Sequence, residues 1–196
     1  MFLFVIVALI LSATFHEYMH GFAANQLGDP TAKNAGRLTL NPIKHLDLYG
    51  SVLIPLFLVI VQSPFLFGWA KPVPYNPNNL RNKKWGDAIV AVAGPLGNLI
   101  LALLFAIVLR FISPLVPLYG LISQIILINL VLMIFNLMPI PPLDGSKILA
   151  SFLPYRLKNK LLYMDTRLSM ILVFAFAFFG FSLIWPVIVW IFNLMV

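Results

Sequence analysis

Two histidines and a glutamate near the amino terminus have the spacing of a zinc-binding helix. Residues 16–20 read His-Glu-Tyr-Met-His, which is the pattern H-E-x-x-H. On a helix, His16 and His20 lie one turn apart on the same face, where two imidazoles can bind one tetrahedral zinc ion. Glu17 lies beside them, where a carboxylate can take a proton from an attacking water molecule. These residue types predict metal-assisted hydrolysis.

Two imidazoles do not complete a catalytic zinc site, which takes three protein ligands and keeps one position open. The chain has no cysteine, so the third ligand must come from its 3 histidines and 6 acidic residues. Asp144 is the best candidate, because it follows the prolines that end an apolar span. The alternative is structural: the first motif would be a polar cluster between helices, and Asp144 would cap a short helix at about 143–153.

The composition indicates that these ionisable groups lie in a membrane. Of 196 residues, 61% are hydrophobic and 10% are charged, against about 25% charged in an ordinary soluble domain. A soluble fold of this kind would expose more apolar surface than monomers tolerate, so we expect lipid to surround much of the chain. A charged group at membrane depth costs about 2.5 to 3.5 kcal/mol on insertion scales. Three such groups within two turns therefore favour the metal site over the polar cluster.

Four apolar stretches are long enough to cross a hydrocarbon core about 30 Å thick. They are residues 1–27, 87–112, 118–138 and 168–196, with approximate bounds. The first lacks a basic start and a small-residue cleavage site, which predicts a retained helix rather than a removed signal peptide. The last contains Gly180 and Pro186, so it is predicted to be one kinked helix or a tight helical pair.

A fifth apolar stretch, Tyr49 to Phe67, is predicted to re-enter the membrane rather than cross it. It has 19 residues, the bare minimum for a span, and Pro55 and Pro64 interrupt it. The two histidines lie late in the first span and Asp144 lies just past the end of a later one. They can share a metal ion only if both spans end on the same side, which a crossing at 49–67 would prevent.

The basic residues give an independent indication of topology. The formal net charge is +7, but the 13 basic residues are dispersed between apolar stretches rather than grouped in a stripe, so we expect no nucleic-acid partner. With a re-entrant segment, twelve of the 13 fall on the side where the proposed ligands meet, and only Arg110 falls opposite. The positive-inside rule makes that side cytoplasmic. We therefore expect an external amino terminus and a site nearer the cytoplasmic surface.

Three motifs in order resemble the site-2 protease family of intramembrane zinc metalloproteases. They are His-Glu-Tyr-Met-His at 16–20, Gly-Pro-Leu-Gly-Asn at 94–98, and Asn-Leu-Met-Pro-Ile-Pro-Pro-Leu-Asp-Gly at 136–145. The likeness extends from residue 1 to about 153. It is similar to the compact branch of the family, without a PDZ or CBS domain, and segments 36–47 and 67–74 also resemble that branch.

The resemblance implies a function and a set of roles. One zinc ion per chain would be bound by the two histidines of the first motif and by Asp144, with Glu17 as general acid/base. The substrate would be a membrane protein cut within or next to a transmembrane segment. Asn98 and Asn136 would hold the substrate or the developing oxyanion. For both asparagines the alternative is helix packing through side-chain hydrogen bonds.

The third histidine, His45, lies in Asn-Pro-Ile-Lys-His-Leu-Asp and departs from this set. It is either a residue that orients a zinc ligand or, more simply, a loop histidine with a local hydrogen bond. Two short segments, 36–40 and 70–75, are predicted to be extended edges at which an unwound substrate strand can pair. Proline keeps the second of them out of a central sheet.

The prediction is an all-α polytopic membrane protein with about 4–6 membrane helices, a re-entrant segment and short extended edges. It forms one domain over 1–196, with a catalytic core at about 1–153, and the absence of a recognisable eukaryotic targeting signal indicates a prokaryotic cytoplasmic membrane. A metal or ion transporter is the main alternative, since intramembrane His, Glu and Asp can form a pathway. Against it, the ionisable groups cluster at one end and no inverted repeat is visible. A membrane-protein binder that does not cleave its partner is a third possibility.

Overall fold

The computed structural model describes residues 2–62 and 68–196. The α-helices are α1 (Phe2–Gln26), α2 (Thr31–Asn34), α3 (Ile54–Ile60), α4 (Gly86–Leu109), α5 (Pro117–Asn136), α6 (Asp144–Phe152), α7 (Tyr155–Leu162), α8 (Thr166–Ala175) and α9 (Phe181–Met195). Single 3-10 turns cover Pro42–Lys44 and Pro77–Asn79, and π-helical turns cover Leu48–Leu53 and Phe176–Gly180. The described residues contain no β-strand, so the all-α prediction is confirmed.

Four helical stretches of the described residues are long and apolar enough to cross a bilayer, as predicted. They are Leu3–Gln26, Gly86–Leu109, Pro117–Asn136 and Thr166–Met195. The last settles the choice between one helix and two, because α8, a π-helical turn and α9 follow one another without a break over 30 residues. The helix accommodates Pro186, which supplies no N–H to the helical ladder, inside α9.

The helices pack through small residues on α4. Ile126 and Leu130 of α5 are fully buried, and they pack in one cluster with Ala102 and Ala106 of α4 and with Ile188 of α9. Lipid is as apolar as these side chains, so close van der Waals contact, rather than exclusion of water, must hold the helices together. The alanines allow that contact, and α4, which packs against α1, α5 and α6, is the centre of the bundle.

The ends of the helices are arranged so that the two long connections lie together. The main-chain N–H of Arg81 donates to the carbonyl of Leu27, 2.9 Å away, and Leu80 packs against Ala24 and Val90. The end of α1 therefore meets the start of α4. Asp144, which begins α6 after α5 has ended, lies beside α1 as well. The connections 27–85 and 137–165 thus share one end of the bundle, and 110–116 lies at the other.

The start of the fifth apolar stretch lies beside Trp69, which follows its end. The helical segment Leu48–Ile60 has 13 residues, which at 1.5 Å per residue gives about 20 Å, too short for a hydrocarbon core. The N–H of Trp69 donates to the carbonyl of Gly50 at 3.1 Å, and the Ser51 hydroxyl donates to the carbonyl of Trp69 at 2.8 Å. The two ends are adjacent, as re-entry requires. Residues 63–67, with Pro64, lie outside the described residues.

The two segments expected as extended edges are joined to each other by the side chain of Arg37, and a main-chain bond joins the second segment to His45. The Arg37 guanidinium donates to the carbonyls of Lys71 and Pro72, at 2.8 and 3.4 Å. The N–H of Lys71 donates to the carbonyl of His45 at 2.8 Å. Pro72 and its neighbours offer few N–H groups for a ladder, so no sheet forms here. We call residues 69–76 the strap, because they lie alongside the second half of α1, with bonds to Glu17 and to Asp29.

Candidate metal centre

Helix α1 and the start of α6 bring three ligand atoms together. His16 and His20 are only 6% and 8% exposed, and their Nε2 atoms lie 3.0 Å apart. Oδ2 of Asp144 lies 3.1 Å from each Nε2 atom. Nitrogen and oxygen ligands that hold one tetrahedral zinc ion at 2.0 to 2.2 Å are separated by roughly 3.3 Å. The triangle is therefore close in size to one face of such a site.

The other ring nitrogen of each histidine, Nδ1, is hydrogen-bonded to an oxygen acceptor. Nδ1 of His20 lies 2.7 Å from the main-chain carbonyl of Val90, and Nδ1 of His16 lies 2.6 Å from Oδ1 of Asn98. Each oxygen can only accept, so each Nδ1 carries the hydrogen and each neutral imidazole turns a lone pair of Nε2 toward Asp144. Three acceptor atoms then meet with no donor between them. A bound cation removes the repulsion, and this donor set suits zinc.

Gly94 of α4 provides the space that such a cation needs. A Cβ atom at this position would lie 2.4 Å from Nε2 of His20 and 2.6 Å from Nε2 of His16. Any residue other than glycine would therefore push a methyl group into the point where the ligand atoms converge. The size of the triangle, the donor types and the space beside Gly94 all fit a zinc ion.

Glycine also lets Asp144 reach the histidines. After α5 ends at Asn136, the proline-rich turn brings the chain back, and α6 begins directly at Asp144. A Cβ at Gly145 would lie 2.1 Å from the carbonyl oxygen of Leu137, so only glycine permits this close approach. The second oxygen of Asp144, Oδ1, lies 3.6 Å from Nζ of Lys147, which is also 5.5 Å from the centre of the Tyr75 ring. A cation thus balances the carboxylate.

The carboxylate of Glu17 is held by the strap. Its Oε2 accepts a hydrogen bond from the main-chain N–H of Val73 at 2.8 Å, across 56 residues of sequence. Its Oε1 makes no hydrogen bond with any described residue. The ligand-type atoms of Glu17, His16 and His20 all lie within 4.8 Å of one another. Glu17 is therefore fixed beside the triangle with one oxygen available.

The far end of the strap is anchored on Asp29. Its buried carboxylate accepts hydrogen bonds from the main-chain N–H groups of Asn76 and Thr31, from the Thr31 hydroxyl, and from the Asn79 side chain. Burial works to raise the pKa of Asp29, but these four hydrogen bonds outweigh it and hold the pKa below its usual value. A charged, fully bonded carboxylate thus ties the strap to the end of α1.

The site opens on an apolar cavity of about 550 Å³. Glu17, both histidines and Asp144 line it together with strap residues and with side chains of several helices. Those helical side chains include Ile6 and Ile10 of α1, Phe135 of α5 and Val173 of α8. The cavity is within the size range of sites that enclose a substrate, and its walls suit apolar side chains.

The two asparagines predicted to hold substrate lie in different places. Asn98 is fully buried and both ends of its amide are engaged, because Oδ1 faces His16 and Nδ2 donates to Oδ1 of Asn129 at 2.9 Å. Asn136 lines the cavity, and one N–H of its amide donates to the carbonyl of Leu132 at 2.9 Å. Only Asn136 is therefore placed to reach a molecule in the cavity.

His45 is bonded within its own loop. It is 1% exposed and lines the cavity, and its Nε2 donates to the carbonyl of Thr39 at 2.8 Å. Among the described residues, it makes no hydrogen bond with the two histidines of α1, with Glu17 or with Asp144. Of the two alternatives for this residue, the local hydrogen bond is the one present.

Sequence reasoning missed three groups at the site. Asn129, fully buried in the middle of α5, extends the hydrogen bonds of Asn98 to a third helix. An amide in the middle of an apolar span is a sequence signal that could have singled it out. Gly94 was noted only as part of the motif at 94–98, although it faces the ligand atoms. The N–H of Val73 is a main-chain group, which no residue type reveals.

The site and fold define a membrane-embedded protein with a metal-competent centre among its spanning helices, and comparisons with known proteins identify the family. Residues 4–126 and 115–180 match the family model for Peptidase family M50. The chain therefore belongs to peptidase family M50, the site-2 protease family, as its three motifs predicted.

Several relatives share this similarity. The chain is 36% identical over 199 residues to YwhC of Bacillus subtilis, a protein named provisionally as a zinc metalloprotease, with 94% of this chain and 85% of the relative covered. It is 32% and 30% identical to the Rip2 proteins of Mycolicibacterium smegmatis and Mycobacterium tuberculosis, which carry the same provisional name. Those two alignments cover 74% of this chain and 55% of each relative. No solved structure matches the chain.

Proposed function

We propose that this protein is an intramembrane zinc metalloprotease that hydrolyses peptide bonds within or next to the transmembrane segments of membrane proteins. One observation carries the proposal. Three convergent ligand atoms, with Glu17 beside them, lie where α1, a helix of spanning length, meets the start of α6, and they open on an apolar cavity. The whole chain, 1–196, is proposed to form one membrane-embedded domain with its catalytic core at about 1–153.

The depth of the site supports a transmembrane substrate. At 1.5 Å per residue, His20 and His16 lie about 9 and 15 Å along α1 from its end at Gln26. The cavity continues past them to Ile6. A substrate helix shields its own peptide bonds, so the chain must be unwound before cleavage. We therefore expect substrates with glycine, proline or asparagine near the cleaved bond.

The proposed roles follow from the positions of the side chains. His16, His20 and Asp144 would hold the zinc ion, which when bound polarises the scissile carbonyl and makes water more acidic. Glu17 takes a proton from the water that attacks the carbonyl carbon. It then gives a proton to the leaving amine as the carbon–nitrogen bond breaks. The N–H of Val73 keeps Oε2 of Glu17 in place while Oε1 exchanges the proton.

Asn136 is assigned to the carbonyl oxygen of the substrate. Its amide lies in the cavity with Glu17 and Asp144, and one of its two N–H groups is not used by Leu132. A fixed donor at this point stabilises the negative charge that develops on the oxygen. Asn98 is assigned instead to His16, since both ends of its amide are already bonded.

The end of the bundle that carries the site is proposed to face the cytoplasm. Twelve of the 13 basic residues lie in the connections 27–85 and 137–165 or at the start of α8, and only Arg110 lies at the other end. A prokaryotic cytoplasmic membrane is the proposed location. Cysteines placed at Asn34 and Asn79 should react with an impermeant reagent from the same, cytoplasmic side. Labelling from opposite sides would overturn this topology.

Reconstitution tests the activity. The purified chain in liposomes, loaded with zinc, should cleave a co-reconstituted single-span protein that carries a glycine or proline in its span. E17Q should bind zinc normally and leave the substrate intact, because only the proton acceptor is lost. Zinc flux into the liposomes without cleavage would identify a transporter. Substrate capture by the wild type without either reaction would identify a binder.

A further inference from the structure

We propose that Asn129 sets the tautomer of His16 from a third helix, although it makes no hydrogen bond with the histidine and does not line the cavity. It does so by fixing the orientation of the Asn98 amide. The Nε2 lone pair of His16 is thereby turned toward Asp144 before any metal arrives. This inference rests on the metal site proposed above and adds a residue of α5 to those that position it.

The chain of bonds begins at a main-chain carbonyl. Nδ2 of Asn129 lies 2.9 Å from the carbonyl oxygen of Ile125 and 3.0 Å from the hydroxyl oxygen of Ser12. A carbonyl oxygen can only accept a hydrogen bond, so the nitrogen of the amide, and not its oxygen, must face Ile125. The oxygen of Asn129 is then directed to the other side.

That oxygen determines the orientation of the second amide. Oδ1 of Asn129 lies 2.9 Å from Nδ2 of Asn98, and both residues are fully buried. If the Asn98 amide were reversed, two oxygen acceptors would face each other in a dry interior, where an unpaired polar group costs most. Asn98 must therefore present Oδ1 to Nδ1 of His16, 2.6 Å away.

The orientation of the Asn98 amide then determines the tautomer of His16. Because Oδ1 of Asn98 can only accept, Nδ1 of His16 keeps the hydrogen and Nε2 keeps its lone pair. His20 reaches the same tautomer in one step, through the carbonyl of Val90 at 2.7 Å. Two neutral amides thus fix the hydrogen of His16 on Nδ1, and one main-chain carbonyl fixes the hydrogen of His20 in the same way. Neither amide carries a charge that the membrane interior would penalise.

The hydroxyl of Ser12 offers a matched control. It accepts from Asn129, as does the carbonyl of Ile125, but a hydroxyl can also donate and so does not by itself define which way the amide points. If the carbonyl defines the orientation, S12A removes one bond and leaves the tautomer unchanged. N129L removes the amide and leaves the orientation of Asn98 to one longer hydrogen bond, the 3.4 Å bond from its Nδ2 to the main-chain carbonyl of Ser12.

Nitrogen-15 NMR measures the tautomer of His16 directly. In zinc-free protein labelled with nitrogen-15 histidine, NMR shifts distinguish a hydrogen on Nδ1 from one on Nε2. We expect His16 to hold it on Nδ1 in the wild type and in S12A, and to populate both forms in N129L. His20 should be unchanged in all three. Zinc affinity should fall by about 10 to 100-fold in N129L, the range for loss of a partner of a metal-binding histidine, and by less than about 3-fold in S12A.

A rescue variant separates this role from simple packing. An aspartate at position 98 presents an oxygen to His16 in either orientation, so N98D/N129L should recover the Nδ1 tautomer and most of the zinc affinity. If N129L does not fold, N129A removes the same amide without adding a branched side chain. The proposal is overturned if N129L or N129A keeps the wild-type tautomer, or if S12A changes it equally. No substrate enters these measurements, so their outcome is independent of whether the protein proves to be a protease.

Discussion

The metal ligands and the general base are held by different kinds of structure. His16, His20 and Asp144 lie on helices, and both histidines are bonded to buried groups of α4. The Glu17 carboxylate is held by one N–H of the irregular strap. Sites supported by packed helices keep their geometry more tightly than sites supported by loops. The difference predicts that changes on the helix side affect metal binding, and changes on the strap side affect turnover alone.

The largest effect is expected from the ligand that begins α6. In D144N a neutral amide replaces the carboxylate whose Oδ2 lies 3.1 Å from both histidines. Zinc affinity should fall by more than the roughly 100-fold upper figure for loss of an outer partner, and cleavage should cease. E17Q should also stop cleavage while keeping its zinc. Metal analysis after dialysis separates the two, and a D144N protein that retains one zinc ion would contradict the ligand assignment.

Two glycines on α4 provide a matched pair. In G94A the added methyl group would lie 2.4 Å from Nε2 of His20, where the ligand atoms converge. In G97A it would lie 2.7 Å from Cγ of Met19, a flexible side chain that can move. G94A should therefore lose zinc and activity. G97A should keep both and lose about 1 to 3 kcal/mol of stability, as overpacked sites do.

Zinc titration and thermal unfolding of the two glycine variants in the same detergent make this comparison. Equal zinc affinity in G94A and G97A would show that the space beside Gly94 is not the metal position. It would also remove the main steric reason for a glycine at that point of α4.

On the strap side, Arg37 is the residue to change. Its guanidinium is almost fully buried and holds the carbonyls of Lys71 and Pro72, next to the Val73 N–H that binds Glu17. A hydrogen bond from a charged donor is worth about 1.5 to 3 kcal/mol, and part of this should appear as misplacement of Glu17. R37M should lower kcat about 10-fold with zinc affinity unchanged. A fall in zinc affinity of the same size would show that the two sides of the site are not separate.

The features that were predicted correctly from the sequence are those that depend on local pattern. Each of these features is read from residues that are close together in the sequence. They are the spacing of His16 and His20, the glycine after Asp144 and the length of each apolar span. The re-entry of the fifth stretch followed from a topological condition, since the ligands had to meet. These features gave the four spans and the ligand set that the structure brings together.

What sequence reasoning did not reach depends on contacts between distant segments. The bond from Asn98 to His16 joins residues 82 apart, and the one from Val73 to Glu17 joins residues 56 apart. No periodicity encodes which end of an amide faces a histidine. For that reason the sequence left Asn98 between substrate binding and helix packing, whereas the structure gives its amide two partners inside the protein.

The smallest effect is expected at the far end of the strap, and it depends on pH. The pKa of Asp29 is lowered in the folded protein, so its charged form stabilises the fold. That contribution is complete above the unfolded value of about 3.9 and is lost as the pH falls through the lower folded value. The melting temperature of the wild type should therefore approach that of D29N as the pH is lowered from 6 to 3. At pH 6, D29N should melt lower but keep its zinc, with turnover reduced only about 2-fold, because Arg37 still holds the nearer part of the strap. A constant difference in melting temperature across this range would mean that the charge of Asp29 does not anchor the strap.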